Sequence, residues 1–359
     1  MIKNVAIIGL GLIGGSIAKA LKGSKIDVNI GGFDIDTVTQ KALDDKIIDE
    51  RLNAYEDIKE YELIFICLHV NLTLEVLEKF APLLNSNQIV TDVCSVKSLI
   101  QEKWDSFKSE GHYVGGHPMT GKEKGGYENS DPLLFENSIY IINENVELLE
   151  RKSEFLELIK SLGCRITLLS PKEHDNAVAN VSHFPQLLSV MLLNNTIKNS
   201  TETNYLDFAA GGYRDMTRIA SSDYGLWEPI IQSNKEQILK VFNSFEAELA
   251  SLKKMLEDDN SYSIASNFER ARKGRDEVPK NTKGFLNPLY DLYVFVKDEP
   301  GVVSKISTAL YQEGINIKDI ELLKIREGTG GTFRLSVESQ NDVERATEII
   351  NALGFTLKD

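Results

Sequence analysis

The sequence predicts an α/β chain in three parts: a doubly wound parallel sheet, an all-α middle and a small C-terminal βαββαβ sandwich. Three observations carry this. Short apolar strands alternate with helical stretches as far as Ser170, a rhythm that builds a parallel sheet with helices on both faces. Strand-like runs then vanish from Pro171 to about Arg275. After a polar stretch at 276–288 holding two prolines and a glycine, a strand-helix-strand-strand-helix-strand pattern closes the chain, the order of a ferredoxin-like sandwich. The expected domains are therefore 1–170, 171–280 and 288–359.

Each element follows in order. "NVAIIGL", "VNIGGFD", "ELIFICLHV" and "QIVTDVCS" are the first strands, separated by helical segments such as "SIAKALKG" and "TLEVLEKFAPLL". "SIYIINE" and "CRITLLS" extend the same series to Ser170. In the middle part, Ile231, Ile238, Phe242, Phe245, Leu249, Leu252 and Leu256 recur at steps of seven, four, three, four, three and four. That spacing makes a seam that faces another helix, either of this chain or of a second subunit. At the end, "YDLYVFV" reads as a strand, "GVVSKISTALYQEG" as a helix, and "INIKDIELLKIRE" and "TFRLSVE" as strands about a "GTGG" turn. "DVERATEIINAL" and "GFTLKD" follow as helix and strand.

Bulk properties narrow the class. At 359 residues the chain is too long for one ordinary core. No apolar run approaches the ~20 residues that span a bilayer, and "MIKNVAIIG" reads as a first strand instead of a signal peptide. Three widely spaced cysteines, Cys67, Cys94 and Cys164, suit free thiols in a reducing cytoplasm, and no His/Asp/Glu set has metal spacing. A net charge of −14, from 40 basic and 54 acidic residues, repels phosphate backbones, so neither nucleic acid nor a membrane is an expected partner.

Gly9, Gly11 and Gly14 form G-x-G-x-x-G, with Leu12 and Ile13 inside the motif, directly after a strand and opening a helix. The first glycine makes the tight turn, the second lets a pyrophosphate approach the backbone, and the third lets helix and strand pack closely. Gly15 and Ser16 extend the possible phosphate cradle. Asp34 ends the second strand twenty residues past Gly14, where an acid binds the adenosine ribose hydroxyls and repels a 2′-phosphate. NAD is thus the expected cofactor. His69, at the carboxyl end of "ELIFICLHV", is read as a rim residue.

The stretch "GGHPMTGKEKGGY" surrounds one histidine with five glycines. Beside a nicotinamide, a neutral imidazole is a suitable base for a hydroxyl whose carbon gives up hydride. His117 is the candidate, held by the backbone restriction that Pro118 imposes. His112 has no partner pattern.

Together "GGHPMTGKEKGG", "CSVKS", "VANVSHFPQ" and "GGYRDMTRIASSDYGLW" resemble the prephenate dehydrogenases over essentially the whole chain, and the C-terminal unit resembles an ACT domain. The resemblance implies NAD-dependent oxidative decarboxylation of prephenate to 4-hydroxyphenylpyruvate in tyrosine biosynthesis, by a cytoplasmic homodimer with tyrosine as effector. It implies that His117 hydrogen-bonds the ring hydroxyl and that Ser95 orients both; Ser95 is also placed to cap the next helix. Glu123 matches an acid near the pocket entrance. Arg218 matches the carboxylate clamp, with Asp215 placed to orient an arginine and Arg214 read as a surface residue. Trp227 matches a wall aromatic and has an equal claim to be structural. His183 has a claim to substrate and another to the domain interface. Many relatives read S-H-x-P-H where this chain has "SHFPQ", so a substrate contact from Gln186 would lack charge and the choice between prephenate and arogenate is left open. Gly301, Asn316 and Ile317 border the effector position of the ACT unit. Rival readings are an arogenate or mixed-substrate dehydrogenase, a β-hydroxyacid dehydrogenase, which would use a lysine of the helical domain, and a non-catalytic amino-acid sensor.

Overall fold

A computed structural model describes residues 1–122, 124–277, 289–326 and 330–358. They form two compact units, Met1–Arg275 and Asp276–Asp359.

In the first unit β1 (Asn4–Ile8), β2 (Asn29–Phe33), β3 (Glu50–Arg51), β4 (Leu63–Ile66), β5 (Ile89–Asp92) and β6 (His112–Val114) make one parallel sheet in the order β3-β2-β1-β4-β5-β6. Both faces are buried, so the strands read as unbroken apolar runs. Val5, Ile7, Leu63 and Phe65 enter one core; Ala6, Ile8, Ile64 and Ile66 enter the other. The chain reverses its winding between β1 and β4, which opens a crevice at their carboxyl ends.

Two expectations change here. "SIYIINE" and "CRITLLS" do not extend the first sheet. As β8 (Ile139–Asn143) and β9 (Arg165–Leu169) they join β7 (Gly116–Pro118) in a separate three-stranded sheet, with β7 antiparallel to β8 and β8 parallel to β9. His117 therefore stands on a short buried strand and not on a loop. The two glycines before it serve protein packing: a Cβ at Gly115 would lie 2.6 Å from Asn143 Nδ2, and one at Gly116 2.8 Å from the Asp92 carbonyl.

The helical part begins where the sequence breaks. Ser170 caps the Pro171–Val178 helix in a capping box with Glu173, and Pro171 occupies the first turn, where no N–H is needed. A turn of wider, π-type helix, Ala179–His183, precedes the Phe184–Asn199 helix. Pro185 thus lies in a first turn and interrupts nothing. The apolar seam is divided. Asn234 separates the Tyr224–Ser233 and Lys235–Glu257 helices. Ile238 is buried and Phe242 and Phe245 stack on Phe184 at 4.9 and 5.0 Å, whereas Leu249, Leu252 and Leu256 are exposed.

The second unit has β10 (Tyr290–Val296), β11 (Asp319–Arg326), β12 (Gly330–Val337) and β13 (Thr356–Lys358) in the antiparallel order β11-β12-β10-β13. Helices Val302–Gln312 and Gln340–Ala352 cover its Leu292, Val294 and Leu335 face. This is the expected βαββαβ sandwich. Of the polar stretch 276–288, the first two residues end the Ser261–Glu277 helix and the rest lies outside the described residues, as do positions 328 and 329 of the "GTGG" turn.

Candidate active site

The glycine motif has the geometry that each position requires. Gly9 has φ +93°, and a Cβ there would meet the Cys67 carbonyl at 2.6 Å. A Cβ at Gly14 would stand 1.8 Å from the Gly9 carbonyl, so only glycine lets this helix meet its strand. At Gly11 no atom of the described residues beyond its chain neighbours lies within 4 Å of that position, and Gly11 lines a cavity of about 420 Å³. Gly9, Gly11, Leu12, Ile13, Asp34 and Ser95 all line it.

The Leu12–Gly23 helix has no side-chain cap, which leaves its first N–H groups for an anion. Asp34 accepts from Leu10 N at 2.6 Å and Ile35 N at 2.7 Å, fixing its carboxylate while leaving lone pairs for ribose hydroxyls. These residues fit a dinucleotide. Gly15 and Ser16 do not extend the cradle: Gly15 packs on Ser130, and buried Ser16 donates to Leu12 O and accepts from Asp131 N. His69 sits exposed on the cavity rim, as expected. Lys122, not foreseen, also lines the cavity and pairs with Asp131 at 3.0 Å; Leu226, Pro229 and Ile230 of the helical part are in the lining as well.

His117 is buried on β7 and is not among the cavity-lining residues. Gly116 N approaches Asp92 Oδ1 at 3.4 Å, which ties β7 to the end of β5, three residues before Ser95. His117 Nδ1 lies 2.8 Å from His174 Nε2, and His174 Nδ1 lies 2.8 Å from Asp175 Oδ1. Asp175 in turn accepts from Lys97 N at 2.8 Å and Ser98 N at 2.9 Å. Asp175, and not Ser95, therefore caps the Ser98–Asp105 helix. Beneath, Lys97 and Asp92 form a buried ion pair at 2.5 Å, and Tyr113 donates to Asp92 at 2.8 Å. Burial, then His174, Lys97 and His183, push the His117 imidazole well below its ordinary range, so it is neutral at physiological pH. Burial likewise lowers His174, partly offset by Asp175.

His183 is nearby and held differently. Asn234 Nδ2 donates to the Asp175 carbonyl at 2.8 Å, which fixes the amide orientation, and lies 3.1 Å from His183 Nδ1. His183 Nδ1 is then an acceptor, and Nε2 carries the proton. That Nε2 is buried and has no hydrogen-bond partner among the described residues. Burial pushes His183 down to about 4. Trp227 lies edge-on to His183 at 6.0 Å and is not part of the cavity wall. Gln186 is buried and donates to Ile219 O at 2.8 Å, anchoring the turn Arg218–Ser221. Arg218 begins that turn, exposed in this chain and off the cavity wall; Arg214 and Asp215 are exposed beside it. Glu123 lies outside the described residues.

In the second unit a cavity of about 280 Å³ is bordered by Lys297, Gly301, Val302, Leu322 and Phe333. Gly301, at φ +85°, starts the Val302–Gln312 helix. Asn316 and Ile317 do not border this cavity; Ile317 packs on the core.

Sequence reading missed His174, Asp175, Lys97 and Asn234. Each is an ordinary polar residue until the fold brings it to a neighbour far along the chain. The one local signal was a charged residue at each end of the short "VCSV" stretch, Asp92 and Lys97.

Residues 17–168 match the family model for the prephenate dehydrogenase nucleotide-binding domain, and residues 170–270 the one for its dimerization domain. The prephenate dehydrogenase of Bacillus subtilis (strain 168) is 36% identical over 357 residues, 97% of this chain and 96% of that one. The chain belongs to the prephenate dehydrogenase family. The prephenate dehydrogenase of Lactococcus lactis subsp. cremoris (strain MG1363) is 34% identical over 99% of both chains. Residues 290–355 match the ACT domain. A solved structure of prephenate dehydrogenase from A. aeolicus, in complex with hydroxyphenyl propionate and NAD+, superposes with a TM-score of 0.71 at 29% identity. It covers 78% of this chain and 99% of that one. The family that the motifs implied is thus the one the chain belongs to, with its α/β first domain and C-terminal ACT domain.

Two predictions follow from this geometry. Gly14→Ala should destabilise the fold by about 1–3 kcal/mol through overpacking, read as a lower Tm. Gly11→Ala should leave Tm unchanged yet weaken NAD binding about tenfold, ~1.4 kcal/mol, read by titration calorimetry. Second, the buried histidines make stability pH-dependent. Each binds its proton less well folded than unfolded, so stability is full above pH ~6.5 and falls as pH drops from there toward 4. His183, at about 4, contributes a loss of ~3 kcal/mol. Urea melts at pH 7.5 and 5 check this; equal stabilities would contradict the burial of neutral imidazoles.

Proposed function

We propose that this chain oxidises and decarboxylates prephenate with NAD, yielding 4-hydroxyphenylpyruvate, as a cytoplasmic homodimer in tyrosine biosynthesis. The observation that carries the reading is a buried, neutral imidazole, His117, tied to the same strand end that presents Ser95 to the dinucleotide cavity. NAD, when bound in the Gly9–Gly14 and Asp34 cradle, supplies the hydride acceptor.

His117 takes the proton of the ring 4-hydroxyl as its carbon becomes a carbonyl. Ser95 hydrogen-bonds the same oxygen and orients it. The ring carboxylate then leaves as carbon dioxide, its bonding electrons entering the ring. The carbonyl oxygen becomes a phenol and regains the proton from His117, so no net proton is released. Aromatisation drives the step. The neutral His183 Nε2–H donates to a substrate oxygen. Arg218, on the turn that Gln186 anchors, clamps a carboxylate, and Trp227 supports His183 edge-on.

Assembly as a dimer is supported by the exposed half of the seam, Leu249, Leu252 and Leu256, in the region that matches a dimerization domain. Free Cys67, Cys94 and Cys164 suit a reducing compartment. The ACT domain takes an amino-acid effector beside Gly301. Tyrosine, the expected one, inhibits by favouring a state that binds substrate less well. Arogenate is the competing substrate because Gln186 brings no charge to the site.

NADH formation should appear with prephenate and fall when tyrosine is added; turnover of arogenate alone would move the substrate. His117→Asn should lower kcat by on the order of 10²–10⁴ with NAD affinity unchanged, and retained turnover would remove His117 from its role. Leu249→Glu should shift the species seen by light scattering from dimer to monomer.

A further inference from the structure

We infer that His174, backed by Asp175, is a positioning residue that holds His117 in the tautomer with a bare Nε2; this rests on the reading of His117 as the base. The argument runs outward from the carboxylate. Asp175 is buried, and although burial raises its carboxyl, hydrogen bonds from His174, Ser98 and Lys97 outweigh this and keep it ionised. An ionised carboxylate only accepts, so the contact at 2.8 Å requires a proton on His174 Nδ1. Neutral His174 then has a lone pair at Nε2. That lone pair faces His117 Nδ1 at 2.8 Å, so Nδ1 must carry the His117 proton. Neutral His117 is left with its lone pair at Nε2, where a hydroxyl proton can be taken.

The relay is rigid because Asp175 cannot turn. Its two oxygens also receive Lys97 N and Ser98 N, immediately after the turn that bears Ser95. One carboxylate thus fixes the serine turn directly and the base through His174. When His117 gains its proton, the new charge is met by Asp175 through the neutral imidazole between them. The other groups facing His117 are Lys97 and His183. Lys97 opposes that charge and is itself paired with Asp92, while His183 stays neutral above pH ~4. In a general Ser-His-Asp triad, removing the anionic partner and so the correct tautomer costs on the order of 10⁴ in kcat.

The test combines a resting-state measurement with kinetics. Nitrogen NMR of histidine-labelled protein should show His117 protonated at Nδ1 in the wild type and at Nε2 in His174→Phe. His174→Phe keeps a ring of similar size but no lone pair, and should lower kcat on the order of 10²–10⁴ with KM and NAD affinity little changed. His174→Gln, whose amide oxygen can still accept from Nδ1, should retain activity within about tenfold of wild type and lose any inflection that His174 adds to the pH profile. An Nε2-protonated His117 in the wild type, or full kcat in a folded His174→Phe, would overturn the inference. If His174→Phe fails to fold, the wild-type spectrum and His174→Gln still decide. Full turnover in His117→Asn would instead defeat the base assignment, leaving the tautomer result standing.

Discussion

The site depends on one buried carboxylate. Asp175 leaves water at a cost that only several donors can offset, and it finds them in two separate parts of the fold. His174 N–H comes from its own helix; Lys97 N and Ser98 N come from the start of another helix after β5, whose own N-cap side chain makes no cap bond. The same contact satisfies that helix terminus, binds the helical part to the sheet, and places the histidine pair against the serine turn. Its main-chain carbonyl takes part as well, holding Asn234 and through it His183. Two histidines, both kept neutral by burial, thereby present different faces, an acceptor at His117 and a donor at His183.

Around this anchor the first unit resolves two competing needs. A parallel sheet must bury both faces, yet its carboxyl end must stay open to a ligand. The winding reversal between β1 and β4 meets both, because the crossover connections leave in opposite directions and part at that point. The glycines then divide the labour. Gly9 and Gly14 make contacts that no side chain could survive, whereas Gly11 leaves its missing side chain as cavity. The second sheet carries His117 to the same edge by pairing β7 with β8.

Apolar surface left at the end of the Lys235–Glu257 helix, and the ACT unit with its own core, complete the chain. Phe184 packs on the first half of the seam through Phe242 and Phe245; the second half, Leu249, Leu252 and Leu256, stays exposed on this chain, the surface a subunit contact would cover.

The sequence by itself determined whatever rests on local chemistry. Strand and helix periodicity, the G-x-G-x-x-G turn, Asp34 at a strand end and the Ser170–Pro171 helix start all depend on neighbours a few residues away, and all were legible. So was the order of the C-terminal sandwich. The tertiary structure alone decided the rest. That His117 stands on a strand follows from its pairing with Ile141; that Gly15 and Ser16 serve packing follows from Ser130 and Asp131, more than a hundred residues away. The His117–His174 contact joins positions 57 apart, and Asp175 reaches back 78 and 77 residues to Lys97 and Ser98. No periodicity records such a pair, because a hydrogen bond between distant side chains is set by the packing of the elements that carry them.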